Sequence, residues 1–228
     1  MNANQVPAPM APAIDNNFVI TIGRQFGSGG RELGKTIASR LGIAYYDKEL
    51  LHEAARHAGV SKEFFEKSDE KFPSFLSGVL SFSMGFNPIT CYSGSTSISD
   101  DSVYRSQSDF IHAIAARESC VIVGRTADYI LRDHPRCINI FVHAPVEERV
   151  KRIMKRGDRT TPEQARALSD KTNKLRAAYY NFYTDKRWGD AASYDLTIDS
   201  SRMTMDAIAA VVQAYVEQRL ASPIHPLQ

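Results

Sequence analysis

The chain has 228 residues, 43% of them hydrophobic and 24% charged, with a net charge of +2. That length suits one well-cored domain with inserted lobes, and the composition is ordinary for a soluble globular protein. The apolar runs are far too short to span a bilayer, and so small a net charge argues neither for nor against nucleic acid, since only its distribution matters; no membrane or nucleic-acid partner is expected.

Residues 1–17 hold Pro7, Pro9 and Pro12 among small residues. They lack a basic n-region and an apolar h-region, so they are expected to be a disordered lead-in to a cytoplasmic protein rather than a secretory signal. Cys91, Cys120 and Cys137 show no metal-ligand spacing, and their odd number argues against a disulfide framework. The six histidines are scattered, so no metal site is expected from protein ligands.

The stretch Phe18 to Lys35, FVITIGRQFGSGGRELGK, opens on the β-branched run Val19, Ile20, Thr21, Ile22, which predicts a buried strand. Gly27, Ser28, Gly29 and Gly30 follow, then a helical pattern of Leu33, Ile37 and Leu41 stopped by Gly42. Any strand-to-helix turn needs one glycine; three in four residues exceed that need. Strand, glycine loop and helix together aim backbone N–H groups and a positive helix end at one spot, which predicts a site for a nucleotide's phosphates. Two registers compete. Gly29, Gly34, Lys35 and Thr36 match the P-loop pattern G-x-x-x-x-G-K-[ST] literally. That register leaves a helix of only Ile37 to Leu41, too short to be usual. The favoured register runs the loop from Arg24 to Gly30, with the helix beginning near Arg31. Gly30 then stands at the lysine position, Arg31 is the nearest cation, and the Mg²⁺-contacting hydroxyl is missing.

Ile43 to Tyr46 predicts a second strand ending at Asp47, and Lys48 to Gly59 a helix. A carboxylate at that strand end suits a ligand contact, though capping the next helix is the stronger reading of Asp47 alone. Residues 72–104 carry nine serines, two charges and several aromatics, which predicts a mobile inserted lobe or lid. A helix is expected over 106–118, then the all-apolar strand Cys120 to Val123, closed by Gly124 and Arg125. An arginine there asks for an anionic partner, either an internal carboxylate or a substrate phosphate.

Next come a strand over Ile138 to Val142 and a helix opened by Pro145. Residues 146–187 hold twelve Lys/Arg against six Asp/Glu, a bias that suits a polyanionic ligand or a salt-bridged solvent face. Thr161, Pro162 and Gln164 predict a helix start. Leu168, Thr172, Leu175, Tyr179 and Phe182 form one face of that helix, with Asp170, Asn173 and Arg176 on another. Arg152, Arg156 and Arg159 precede it around Gly157, as a basic lid over 152–187 would. Asp195 to Ile198 is the last strand, followed by a helix through Val216 and a tail over 221–228. Five short apolar strands separated by helices predict an α/β fold, a parallel sheet covered on both faces.

With these motifs in place the chain resembles the cytidylate-kinase-like proteins of the nucleoside monophosphate kinase fold. GRQFGSGGRELGK (23–35), LGIAYYDKELL (41–51), VIVGRTADYIL (121–131), FVHAPVEERVKRI (141–153) and KLRAAYYNFYTDKRWGDAASYDLTIDSS (174–201) carry the resemblance. It implies a three-layer P-loop kinase domain over 18–220, with a five-stranded parallel sheet, a lid and a monophosphate-binding insertion. It implies transfer of the γ-phosphate of ATP, with Mg²⁺, to CMP or dCMP by a monomer or weak homodimer acting on small nucleotides. Under it, Gly27, Ser28, Gly29, Gly30 and Arg31 hold ATP phosphates. Asp47 and Arg125 lie near the acceptor phosphate, and Asp170 and Arg176 read the acceptor. Arg31, Arg125, Arg156 and Arg159 neutralise charge in flight. Glu53 stands where an arginine is expected, and Val123 and Asn173 where acids are. A regulatory nucleotide binder that has lost catalysis and a kinase for another small acceptor are the rival readings.

Overall fold

The computed structural model describes residues 17–47, 49–50 and 97–222, with side chains in the last segment from Tyr104 onward. Cys91, the rest of the helix expected over 48–59, the insertion up to residue 96 and the tails at 1–16 and 223–228 lie outside the described residues.

Five short runs rich in β-branched or aromatic residues become strands: β1 (Val19–Arg24), β2 (Ala44–Tyr46), β3 (Cys120–Val123), β4 (Cys137–His143) and β5 (Leu196–Asp199). They form one sheet in the order β2-β3-β1-β4-β5, each neighbour parallel. Parallel pairing needs a crossover between strands, and the helices that supply it cover both faces.

Strand alternation sorts the core. Ile20, Ile22, Val121, Val123, Ile138, Ile140 and Val142 point to one face, where they pack against Leu33 and Ile37 of α1 (Gly30–Leu41) and Ile208, Val212 and Val216 of α6 (Met205–Ala221). Val19, Cys120 and Ile122 point to the other, under Phe110, Ile111 and Ile114 of α2 (Ser97–Arg117) and Ile130 of α3 (Ala127–Ile130). Each fully buried Ile contributes roughly 1.5–3 kcal/mol, so this double-sided burial holds β1 at the centre.

α4 (Val146–Lys155) and α5 (Pro162–Tyr183) build a third, smaller cluster from Val150, Ile153 and Ala165, against which Phe26 packs. Thr161 caps α5 by accepting from the Gln164 N–H at 3.3 Å, as its sequence predicts. Two expectations are corrected. The helix expected over 106–118 starts at Ser97, inside the stretch read as an insertion. The buried residues of α5 are Ala165, Ser169, Leu175 and Tyr180, whereas Phe182 is 53% exposed. The apolar stripe misled because α5 turns polar side chains, Ser169 and Asn173, toward the loop after β1.

Candidate active site

β1 ends at Arg24 and α1 begins at Gly30, so the loop lies between them. Gly27 and Gly29 adopt φ of +82° and +83°, left-handed backbone that side chains rarely accept. Space forbids a side chain there too: a Cβ on Gly27 would lie 2.8 Å from the Arg149 carbonyl oxygen. Gly29 is the N-cap of α1 and gives it no side-chain cap, so the first-turn N–H groups face the loop's concave side uncapped by a side chain. This is the geometry of an anion site.

The literal motif register is not the loop. Gly34 lies within α1, where a Cβ would meet Tyr45 and Val123 at 3.1 Å, so it is a close helix–sheet contact. Lys35 sits 5.7 Å over the Tyr45 ring. The Thr36 hydroxyl donates to the Glu32 carbonyl.

The loop is braced from two sides. From below, Arg152 donates to the Ser28 carbonyl at 3.1 Å and to Ser200 Oγ and O at 2.9 and 2.7 Å. Buried Arg149 donates to the Ala144 carbonyl and to Ser169 Oγ. From above, α5 applies Ser169, Asn173 and Arg176, spaced by four and three residues and hence on one face. Ser169 Oγ donates to Phe26 O, Asn173 Oδ1 accepts from Phe26 N at 2.7 Å, and Arg176 donates to Arg24 O at 3.0 Å. Ser28 is fully buried, and its hydroxyl donates to Gln25 O at 2.9 Å. Its side chain therefore shapes the loop, and Ser28 offers a ligand no hydroxyl.

At the carboxyl ends of β1 and β3 the guanidinium groups gather. The Arg24 side chain crosses from β1 to Gly124, where a Cβ would fall on its Nη1. Burial, then repulsion from Arg125 and Arg31, lowers the Arg24 pKa to about 10. Burial, then repulsion from Arg24, Arg156 and Arg31, lowers that of Arg176 to about 9. Arg156 and Arg176 flank the Phe26 ring at 5.3 and 5.5 Å. Gly124, Arg125 and Thr126 all have positive φ (+83°, +62° and +52°). Two such non-glycine residues cost about 1–3 kcal/mol each, a strain characteristic of functional sites. That turn points Arg125 at buried Gln107 of α2, 3.4 Å away.

The remaining predicted residues divide. Asp47 is buried, caps the following turn by accepting from Leu50 N at 3.2 Å, and accepts from the Tyr45 hydroxyl at 3.2 Å. It also pairs with Arg31 at 3.2 Å, so capping and a place at the site coexist. Arg31 pairs with Glu49 as well, whose carboxyl it holds down at about 2. Arg156 is exposed and paired with Asp158 at 2.7 Å; Arg159 is exposed and donates to the Asp158 carbonyl. Asp170 is exposed, and its charge acts on Arg149.

Sequence reading did not single out Arg24, Gln25, Arg149 or Ser169. Ser169 stands one turn before Asn173, a spacing that was available. Asp128, one turn past Arg125, is buried and accepts from Tyr180 at 2.6 Å, a partner no sequence spacing indicates, and burial raises its pKa. Among the described residues no three His, Cys, Asp or Glu side chains converge as a metal site would require, and no helix is long and apolar enough to cross a membrane.

Comparison with known proteins agrees with this geometry. The model of the cytidylate kinase-like family matches residues 19–202. A cytidylate kinase of Pyrococcus horikoshii is 26% identical over 89% of this chain and 90% of its own. A cytidylate kinase of Methanopyrus kandleri is 26% identical over 90% of this chain and 95% of its own. A crystal structure of an uncharacterized protein from Eubacterium ventriosum superposes with a TM-score of 0.65 at 28% identity, covering 88% of this chain and 99% of that one.

Proposed function

Since the chain belongs to the cytidylate kinase-like family, a family of phosphotransferases, we propose that it moves the γ-phosphate of ATP to a nucleoside monophosphate, CMP or dCMP. The relatives' names support the acceptor; the site's chemistry supports the reaction. One observation carries the reading: an uncapped helix start and several arginines meet at the carboxyl ends of β1 and β3. β1 and β3 are neighbours, yet β1 leads leftward to β2 and β3 leads rightward to β4. Their crevice is thus the topological switch point, where α/β sheets bind ligands.

Phosphoryl transfer needs positioning and charge neutralisation rather than a covalent intermediate. The Gly27–Gly30 backbone and the α1 N-terminus suit the donor phosphates. Arg125, held on its strained turn, suits the acceptor phosphate, with Asp47 beside it and Arg176 nearby. Arg31 stands at the first turn of α1, and Arg156 and Arg159, at the exposed end of α4, suit a lid that swings over the transferring group. Mg²⁺ would supply charge neutralisation on the nucleotide. With no converging ligand set among the described residues, it fits as an ion carried by the phosphates and their water. A cytoplasmic monomer or weak homodimer completes the reading.

The test is consumption of ATP with Mg²⁺ against CMP, dCMP, UMP, AMP and GMP, with products identified directly. Diphosphate from CMP or dCMP is expected. The ion pairs of Arg31 to Asp47 and Glu49 favour a second reading, a regulatory nucleotide binder, because protein carboxylates already neutralise that cation. Tight ATP binding without product from any acceptor would select it.

A further inference from the structure

The P-loop pattern G-x-x-x-x-G-K-[ST], laid on the loop the structure forms, puts Arg24 at the first glycine, Gly29 at the second and Gly30 at the lysine. Glycine and cation have changed places across the two ends of one loop. The geometry shows that the exchange is reciprocal. A Cβ at position 30 would lie 2.7 Å from Arg24 Cβ and 3.0 Å from Arg24 Cγ. The stem of Arg24 therefore occupies the room in which a side chain at 30 would begin, and the two cannot coexist. Beyond that point the chain reaches Gly124, where the absence of a Cβ makes space for Nη1. The guanidinium so ends over the β1–β3 crevice.

We propose that Arg24 is the phosphate-binding cation of this loop, replacing from the end of β1 the lysine that position 30 lacks; this rests on the kinase reading above. Two further observations agree. Among the described residues Arg24 forms no salt bridge, unlike Arg31, which two carboxylates engage. Repulsion by Arg125 and repulsion by Arg31 each outweigh the attraction of Arg24 to Asp47, an arrangement that a polyanion between them relieves. A forked guanidinium can hold two phosphate oxygens at once.

The experiment measures ATP affinity by calorimetry, with Mg²⁺ and no acceptor, for the full-length wild type, Arg24→Met and the re-sited pair Arg24→Gly/Gly30→Lys. Arg24→Met is expected to weaken ATP by about 30-fold or more while the melting temperature of the nucleotide-free protein holds or rises. The re-sited pair is expected to recover affinity to within about tenfold of wild type, which a merely structural arginine would not allow. Should Arg24→Met fail to fold, the re-sited pair decides alone by that same limit. Wild-type ATP binding with Arg24→Met unimpaired, or a re-sited pair weaker than the limit, overturns this inference and leaves the kinase reading standing. No ATP binding by the wild type overturns both.

Discussion

Two sets of arginines lie within the same small volume and behave oppositely. Arg149 and Arg152 of α4 direct their donors at protein oxygens: the Ala144 and Ser28 carbonyls, Ser169 and Ser200. They hold the loop from below, with two bonds from Arg149 and three from Arg152 spent on protein oxygens. Arg24, at the end of β1, forms no salt bridge among the described residues and is repelled by Arg125 and Arg31; Arg176 of α5 spends one donor on the Arg24 carbonyl and is repelled by Arg24. Residue type and proximity do not separate these sets. What separates them is how much oxygen the folded chain supplies to each fork: two or three bonds from Arg149 and Arg152, one from Arg176.

Six substitutions sharpen or break that comparison. The largest effect is expected from Gly124→Ala, which forces a Cβ onto Arg24 Nη1 at a backbone φ of +83°. It should cost about 2–3 kcal/mol of stability and about 10²-fold in kcat/KM for ATP; urea melts and initial rates read both. Arg149→Ala strips buried oxygens of their donor and should lower stability by roughly 2–3 kcal/mol in urea melts. If activity falls further than the folded fraction does, Arg149 belongs with the other set.

Arg125→Ala should raise the acceptor KM about tenfold and slow turnover. Steady-state kinetics with an unchanged acceptor dependence would remove Arg125 from the site.

Asp128→Asn addresses a buried carboxyl outside both sets. Burial raises its folded pKa above 3.8, so the native state binds the extra proton more tightly. Its contribution is thus fully present below about 3.8 and lost as pH rises through the higher folded value. The amide keeps an acceptor for Tyr180 and removes the charge. Stability at pH 7 should hold or rise by up to about 1 kcal/mol, and the fall in urea midpoint from pH 4 to 7 should flatten.

Smallest is Lys35→Ala, on the solvent side of α1, where a change of a few tenths of a kcal/mol is expected. Arg31→Ala should weaken ATP use more than Lys35→Ala does. The opposite ranking in ATP titrations would restore the literal motif register as the ligand site.

Much of the scaffold was legible because its signals are local. Four of the strands carry β-branched residues and β2 is aromatic, and Gly42, Pro145 and Thr161 punctuate the helices as their chemistry requires. The parallel sheet and the glycine loop follow from that order. The tertiary uses of polar side chains were not legible. Which way Arg24 leaves β1 depends on a missing Cβ one hundred residues downstream, at Gly124. Ser169, Asn173 and Arg176 read as a polar helix face, but only packing of α5 against the loop shows that backbone, more than ligand, occupies it. Asp128 and Tyr180 are 52 residues apart and meet only in the fold.

The central place of β1 governs how the chain comes to exist. β1 is made first, yet its partners are β3 and β4, and Thr21 bonds Asn139 118 residues away. At about 5–20 residues per second on a ribosome, VITIG waits roughly 6–24 s for its second neighbour. Through that interval an apolar strand has two unpaired edges, a hazard that holding chaperones relieve. The loop after β1, whose braces include Ser200, acquires its full set of braces only once residue 200 has been made. A truncated nascent chain therefore carries the nucleotide motif in its sequence without any capacity to bind.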